Sequence, residues 1–189
     1  MSVSLQKGQK VSLTKDAPDL TEINVGLGWD VNRRGGGQFD LDAAAISLRN
    51  GRFVSDDDLC YFGHRNKKTS AIYHNGDNLT GVGDGDDEVI SVKLDKVDPD
   101  VDAIIFVVNI YSAKTRKQNF GMVKNAFIRL VNARTKQELY RYDLSAGSVD
   151  DAVALTFARV YRHNGEWKFA AIGEGLKVCE IGQIASAYR

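Results

Sequence analysis

The run "AIIFVVNIY" at residues 103–111 constrains the fold of this chain more than any other segment. It is almost continuously apolar and rich in β-branched residues, a composition that is typical of strands rather than of surface loops. Continuous apolarity, in place of strict alternation, indicates burial on both faces. The run therefore predicts a central strand of a sheet that is covered on both sides.

Shorter strand patterns surround this run and are separated by Asn, Gly and Asp turns. In "INVGLGWD", which begins at residue 23, apolar residues alternate with smaller or polar ones, as in a half-buried strand. Two Val-Ser-Leu runs around Lys7 and Gly8 predict a hairpin. Further strands are predicted at residues 89–94, 127–131, 139–144, 154–161 and 166–172, with a turn at "HNGE" between the last two. This series of short strands predicts an all-β protein, a β-sandwich.

The end of the chain has a different pattern. Ile181, Ile184, Ala185 and Tyr188 fall on one face of a helix, so a short C-terminal helix is expected. The chain contains two prolines and no low-complexity linker. We therefore expect a single domain over residues 1–189.

Composition excludes several classes of function. Lys and Arg number 25, as do Asp and Glu, so there is no net charge to recruit nucleic acid or an anionic membrane. The polar first residues do not resemble a signal peptide, and no apolar stretch approaches transmembrane length. Cys60 and Cys179 lie far apart in the sequence, which indicates reduced thiols. A cytoplasmic protein is expected.

Two carboxylates stand at the mouth of an apolar row. Asp40 and Asp42 are two residues apart in "FDLDAAAISL" and share one face of an extended strand, which continues as Ala44, Ile46 and Leu48. A charge placed there loses hydration and needs compensation. Asp30 ends the preceding strand, so it lies beside them if the two strands pair as neighbours.

A second acidic signal is "HNGDNLTGVGDGDDEV", residues 74–89. Its five carboxylates have no Lys or Arg among them, and its four glycines make the backbone pliable. Together with the first group, the chain offers eight carboxylates, those of Asp30, Asp40, Asp42, Asp77, Asp84, Asp86, Asp87 and Glu88.

This chemistry favours calcium, which takes about six to eight oxygens in irregular geometry and accepts carboxylates and backbone carbonyls together. Eight carboxylates exceed the needs of one ion, so two neighbouring ions are predicted. The spacing after Asp84 does not fit an EF-hand loop, and a cluster with a single His and no Cys does not favour zinc. The alternative is a solvated acidic loop without a bound ion.

Several longer motifs occur in a fixed order: "VGLGWD", "FDLDA", "GDNLTGVGDGDDE", "QNFG", "NAFIR" and "YRHNGEWKF". They closely resemble the TerD family of tellurite-resistance and general stress proteins, over about residues 1–175. The resemblance implies a β-sandwich of two sheets that binds calcium ions. Its ligands are expected at Asp30, Asp40, Asp42, Asp77, Asn78, Gly83, Asp84, Gly85, Asp86, Asp87 and Glu88.

The resemblance also implies a role in stress or tellurite resistance, as a scaffold or sensor whose partners are other proteins of those responses, bound in a calcium-dependent manner. The segment "VNRRGGGQ" and the tail "LKVCEIGQIASAYR" depart from the family pattern. Two other classes remain open. One is a metal-dependent phosphoester hydrolase, since Asp-rich sites that hold two ions hydrolyse phosphates. The other is a small-ligand binder, since family relatives are linked with cyclic nucleotides.

Overall fold

A computed structural model describes residues 2–15, 17–30, 39–66, 69–76, 85–144 and 149–189. These residues contain twelve strands and two short α-helices, α1 (Ala113–Arg116) and α2 (Ile181–Ser186). The strands are β1 Val3–Leu5, β2 Lys10–Ser12, β3 Glu22–Gly28, β4 Leu41–Arg49, β5 Leu59–Tyr61, β6 Ile72–His74, β7 Glu88–Lys93, β8 Val101–Ile110, β9 Phe127–Asn132, β10 Glu138–Asp143, β11 Ala154–His163 and β12 Glu166–Leu176.

The strands form two sheets of six. Sheet A has the order β1-β10-β9-β3-β7-β6, and sheet B has the order β2-β12-β11-β8-β4-β5. All pairs in the described chain are antiparallel except β1 with β10, which is parallel. Apolar residues from both sheets form one buried cluster between them. The predicted β-sandwich of two sheets is confirmed.

Strand β8 lies inside sheet B and has no polar face over most of its length. Ile104, Phe106 and Val108 belong to the cluster between the sheets, whereas Ile105 and Val107 belong to a second apolar cluster on the outer face of sheet B. Period-two alternation therefore buries both faces of the strand. This confirms the central, doubly covered strand that the apolar run predicts.

The helix α2 covers part of the outer face of sheet B. Ile181, Ile184 and Ala185 are buried there, in one cluster with Ala44 and Ile46 of β4. One helical face meets one sheet face, as the spacing of these residues predicts. The expected C-terminal helix is confirmed.

The predicted hairpin at the start of the chain is wrong. Strand β1 pairs with β10 in sheet A, while β2 pairs with β12 in sheet B. A turn in which Gln9 N–H donates to the Gln6 carbonyl (3.0 Å) connects them. The segment therefore passes from one sheet to the other, and each short strand extends the edge of a different sheet.

Candidate metal centre

Of the predicted ligands, Asp77, Asn78, Gly83 and Asp84 lie outside the described residues. The other predicted ligands fall around one end of the sandwich, where β3 ends and where β4 and β7 begin. These described ligands are Asp30, Asp40, Asp42, Gly85, Asp86, Asp87 and Glu88.

Asp42 is buried on the outer face of sheet B. Alternation along β4 places it in line with Ala44 and Ile46, so the predicted row of carboxylate and apolar side chains is confirmed. The side chain is 2% exposed and lies opposite Asn109 of β8. The Asn109 amide donates to Asp42 Oδ2 at a long 3.4 Å.

Asn109 is a site residue that the sequence analysis missed. It is 3% exposed, and its Oδ1 has no hydrogen-bond donor among the described residues. The signal was present, because a single amide stands in the otherwise apolar residues 103–110 of β8. A buried amide oxygen next to a buried carboxylate is a pair of hard oxygen donors.

Asp40 precedes β4 and is also largely buried. Its backbone carbonyl accepts a hydrogen bond from Tyr111 N–H at 2.8 Å, which extends the pairing of β4 with β8. Its Oδ2 lies 3.7 Å from Nη1 of Arg116 in α1. The partly exposed guanidinium of Arg116 therefore lies beside the first carboxylate of the row that continues along β4.

Glu88 begins β7 and points between the sheets. It is 1% exposed, and its Oε2 accepts a hydrogen bond from Ala43 N–H of β4 at 2.5 Å. The same oxygen lies 3.5 Å from His74 Nε2 of β6. His74 Nδ1 accepts a hydrogen bond from Gly76 N–H (3.2 Å), which leaves Nε2 as the ring nitrogen that faces Glu88 with a proton. One carboxylate thus connects strands of both sheets.

Asp87 caps the end of β3. Its Oδ2 accepts a hydrogen bond from Trp29 N–H at 2.9 Å, and its own N–H donates to the Leu27 carbonyl at 2.7 Å. Burial raises the pKa of Asp87 and the Asp86 charge raises it further, while the hydrogen bond from Trp29 opposes both. The carboxylate is therefore held in place at some electrostatic cost.

Asp86 turns to the outer face of sheet A. Its Oδ1 pairs with Nε of Arg129 at 2.7 Å, and Nη1 of Arg129 pairs with Glu138 at 2.9 Å. The carboxylate lies directly over Gly26, where an added Cβ would come within 2.2 Å of Asp86 Cγ. Gly85 precedes it with φ of +111°, a backbone that suits glycine.

The premise that placed Asp30 beside Asp40 and Asp42 is wrong. Strand β3 lies in sheet A between β7 and β9, and β4 lies in sheet B, so the two strands do not pair. Asp30 instead accepts a hydrogen bond from the Asn125 amide at 2.7 Å. Alternation specifies which face a residue occupies, but not which sheet the strand joins.

At this end of the sandwich the described polar side chains contact one another in pairs, such as Asp42 with Asn109 and Glu88 with His74. Within the described ranges, no three His, Cys, Asp or Glu side chains lie close enough together to hold a metal ion. Beside Asp42 and Asn109 there is a cavity of about 410 Å³, which is also lined by Tyr111, Lys114 and Cys179. The site therefore combines buried oxygen donors with open space next to them.

Comparison with known proteins decides the family. The sequence model of the TerD domain matches residues 1–188. The chain belongs to the TerD family. It is 49% identical over 176 residues to the tellurium resistance protein TerD of Serratia marcescens, covering 93% of this chain and 91% of that protein. It is 48% identical over 190 residues to general stress protein 16U of Bacillus subtilis (strain 168), covering 100% and 97%.

The fold is also that of solved structures. A crystal structure of a homologue of telluride resistance protein (TerD) from Streptomyces coelicolor A3(2) superposes with a TM-score of 0.70 at 23% identity, over 88% of this chain and 95% of that one. At this identity the likeness concerns the fold. The names of the TerD relatives describe resistance and stress response and do not name an enzymatic reaction. In the described chain, no helix is both long enough and apolar enough to span a membrane.

Proposed function

We propose that this TerD-family protein binds calcium at the end of the sandwich where β4 and β7 begin, and that it serves stress or tellurite resistance as a non-enzymatic scaffold or sensor. One observation carries the proposal. Asp42 is 2% exposed and lies on the outer face of sheet B at the start of β4. Glu88 is 1% exposed and contacts the start of β4 from between the sheets. Burying such groups is costly unless positive charge compensates them.

The donor set fits calcium better than a softer metal. Asp42 and Asn109 offer carboxylate and amide oxygens side by side, and Asp40 lies two residues away. The carboxylates of Asp77 and Asp84 are close in sequence to Glu88 and supply further oxygens in the proposal. Calcium accepts such mixed oxygens in irregular geometry, and a bound ion would supply positive charge to the buried carboxylates.

The residues of the chain connect this site to both sheets. Glu88 holds Ala43 of β4 and faces His74 of β6, and Asp87 holds the end of β3 through Trp29. A change of charge at the site therefore acts on strand starts in sheet A and sheet B together. We infer that calcium sets the local order of this end, and through it the surface that partner proteins of the stress response recognise.

A cytoplasmic location is part of the proposal. Cys60 and Cys179 are both buried and free, so the structure contains no disulfide between its two cysteines. Burial raises the pKa of the Cys60 thiol to about 12, which keeps it protonated and unreactive. Such thiols are compatible with a reducing compartment.

Calorimetric titration with calcium tests the central claim. The wild-type protein should take up calcium, and its melting temperature should rise, since a ligand at about a thousandfold excess over Kd stabilises by about 4 kcal/mol. Asp42→Asn preserves shape but removes charge and should reduce the uptake. Asp57→Asn, an exposed acid in the turn Asp56–Asp58, is the matched control. Absence of calcium uptake by the wild type would refute the proposal.

Two further measurements test whether calcium changes the local order of the protein and whether the protein is an enzyme. Hydrogen exchange should show protection gained with calcium at residues 40–43 and 85–88; uniform protection in both states would exclude the sensor role. A panel of phosphoesters should remain intact with calcium, magnesium or manganese present. Turnover that disappears in Asp42→Asn would favour a hydrolase instead.

A further inference from the structure

The outer face of sheet B is covered over only part of its width. The helix α2 packs on β4, β8 and the first residues of β11, where Ala154, Ile105 and Ile46 are buried under it. The strands beyond, β12 and β2, lie at the other side of the sheet. Their outward side chains include Lys10 and Lys168, which the helix does not cover.

Three cations surround a small residue on this uncovered part. Lys10 of β2 and Arg159 of β11 both pair with Ala170 of β12, from opposite sides. Neighbouring strands lie about 4.8 Å apart, so the two Cα atoms are about 10 Å apart with a methyl group between them. Lys168 stands on the same face two residues before Ala170. The long side chains of Lys10, Arg159 and Lys168 thus surround a depression in the sheet surface at Ala170.

The result is a hollow of about 370 Å³. Its lining is Lys10, Val11, Ser12, Arg159, Tyr161, His163 and Lys168. We call this set the basic hollow. It lies on strands β2, β11 and β12, and none of the predicted calcium ligands contributes to it.

The cations of the basic hollow are not engaged by carboxylates. Among the described residues, no Asp or Glu oxygen lies within 4.0 Å of Lys10, Arg159 or Lys168. Other arginines differ: Arg49 and Arg129 each hold carboxylates. Glu166 is the acid two residues before Lys168 on the same strand face, beside the hollow, and the Ser12 hydroxyl donates to it at 3.2 Å. Three positive charges therefore stand against one negative charge.

The Arg159 guanidinium is held by stacking on an aromatic ring. Its guanidinium lies over the ring of Tyr161, with Cζ 4.4 Å from the ring centroid. Its Nε is buried and has no hydrogen-bond acceptor among the described residues. A buried donor without an acceptor, on a guanidinium that stacking already holds in place, costs free energy. It suits a planar or tetrahedral oxyanion, which an arginine can bind with two donors.

We propose that the basic hollow binds the phosphate group of a small phosphorylated molecule. A phosphate monoester carries close to two negative charges at neutral pH, which matches the excess of two positive charges. Arg159 would supply directed donors, and Lys10 and Lys168 would supply charge from the other two strands. The volume exceeds that of a bare phosphate, and the Tyr161 ring offers a contact for an organic group. This site is independent of the calcium proposal, since the two share no residue.

Titration calorimetry with phenyl phosphate and with inorganic phosphate tests the proposal. Phenyl phosphate should bind more tightly, and high salt should weaken both because the cations are partly exposed. Arg159→Gln and Lys168→Gln should each lower the affinity by about tenfold or more. Lys96→Gln, a charge removal in the exposed turn after β7, is the matched control and should leave affinity unchanged.

Arg159→Lys keeps the charge and serves where Arg159→Gln fails to fold; it should bind phosphate more weakly than wild type. Equal losses in Lys96→Gln and Arg159→Gln would overturn the proposal, since they would indicate general charge attraction. No binding of either phosphate by folded wild type would also overturn it. So would sedimentation with vesicles that contain phosphatidylserine in the absence of phenyl phosphate binding, because the partner would then be a lipid surface.

Discussion

The carboxylate of Glu88 on β7 accepts a hydrogen bond from the backbone N–H of Ala43 on β4, which lies in the other sheet. The two sheets of a sandwich usually meet through apolar side chains, as they do over most of this core. Here the buried carboxylate of Glu88 connects the start of β7 in sheet A to the start of β4 in sheet B. The pairing of β5 with β4 begins at Ala44, so Ala43 lies beyond the end of β5. Glu88 thus satisfies a donor that the sheet leaves unpaired.

This relationship gives a prediction for Glu88→Gln. The amide oxygen can still accept from Ala43, but the buried charge is gone, so stability without calcium should be unchanged or higher. The rise in melting temperature that calcium produces should be smaller than in wild type. Glu174→Gln, an exposed change on β12, should preserve the full rise. Equal destabilisation of Glu88→Gln with and without calcium would show that Glu88 has a structural role alone.

Gly26→Ala should destabilise the fold. The backbone of Gly26 has no positive φ, so alanine is acceptable there apart from its Cβ, which would meet the Asp86 carboxylate. The displaced carboxylate would lose its ion pair with Arg129, and we expect a cost of about 1–3 kcal/mol by urea unfolding. In an Asp86→Ala background the same change should cost less. Gly182→Ala in α2, where a Cβ meets nothing, should stabilise by up to about 1 kcal/mol.

Local pattern predicted the elements of the fold better than their partners. The alternation of Ile23, Val25 and Leu27 gave the strand β3 and its buried face, since side-chain direction depends on the strand alone. The turn "HNGE" was predicted because Asn164 and Gly165 tolerate positive φ, which they adopt at 53° and 77°. The hairpin of β1 and β2 failed because both strands found edge partners more than a hundred residues away.

The same limit applies to the site. The shared face of Asp40 and Asp42 follows from spacing, and the structure confirms the apolar row that continues it. The directions of the Asp86 and Glu88 side chains do not follow from the spacing. They are two residues apart, yet Asp86 lies before β7 and turns outward to Arg129, 43 residues away, while Glu88 points inward. The sequence predicts the acidic cluster, but it does not predict the long-range ion pair with Arg129 that turns Asp86 away from Glu88.

Stability should fall in alkaline solution because of Cys60. Its pKa is raised from 9.0 to about 12 by burial, so between these values the unfolded chain loses a proton that the folded protein keeps. The unfolded state is then favoured as pH rises, by at most about 1.4 kcal/mol per pH unit. Urea unfolding from pH 8 to pH 10.5 measures it. Cys60→Ala should flatten this dependence relative to wild type, and identical slopes would contradict the assignment to Cys60.

The last prediction concerns the cover that α2 provides. Ile184 is buried against the outer cluster of sheet B, whereas its neighbour Gln183 is exposed. Ile184→Ala removes buried apolar contacts with that face, so the free energy of unfolding should fall by about 2–4 kcal/mol. Gln183→Ala, on the exposed side of the same helix, should change it by less than about 0.5 kcal/mol. Equal effects of the two changes would mean that the helix is not packed on sheet B in solution.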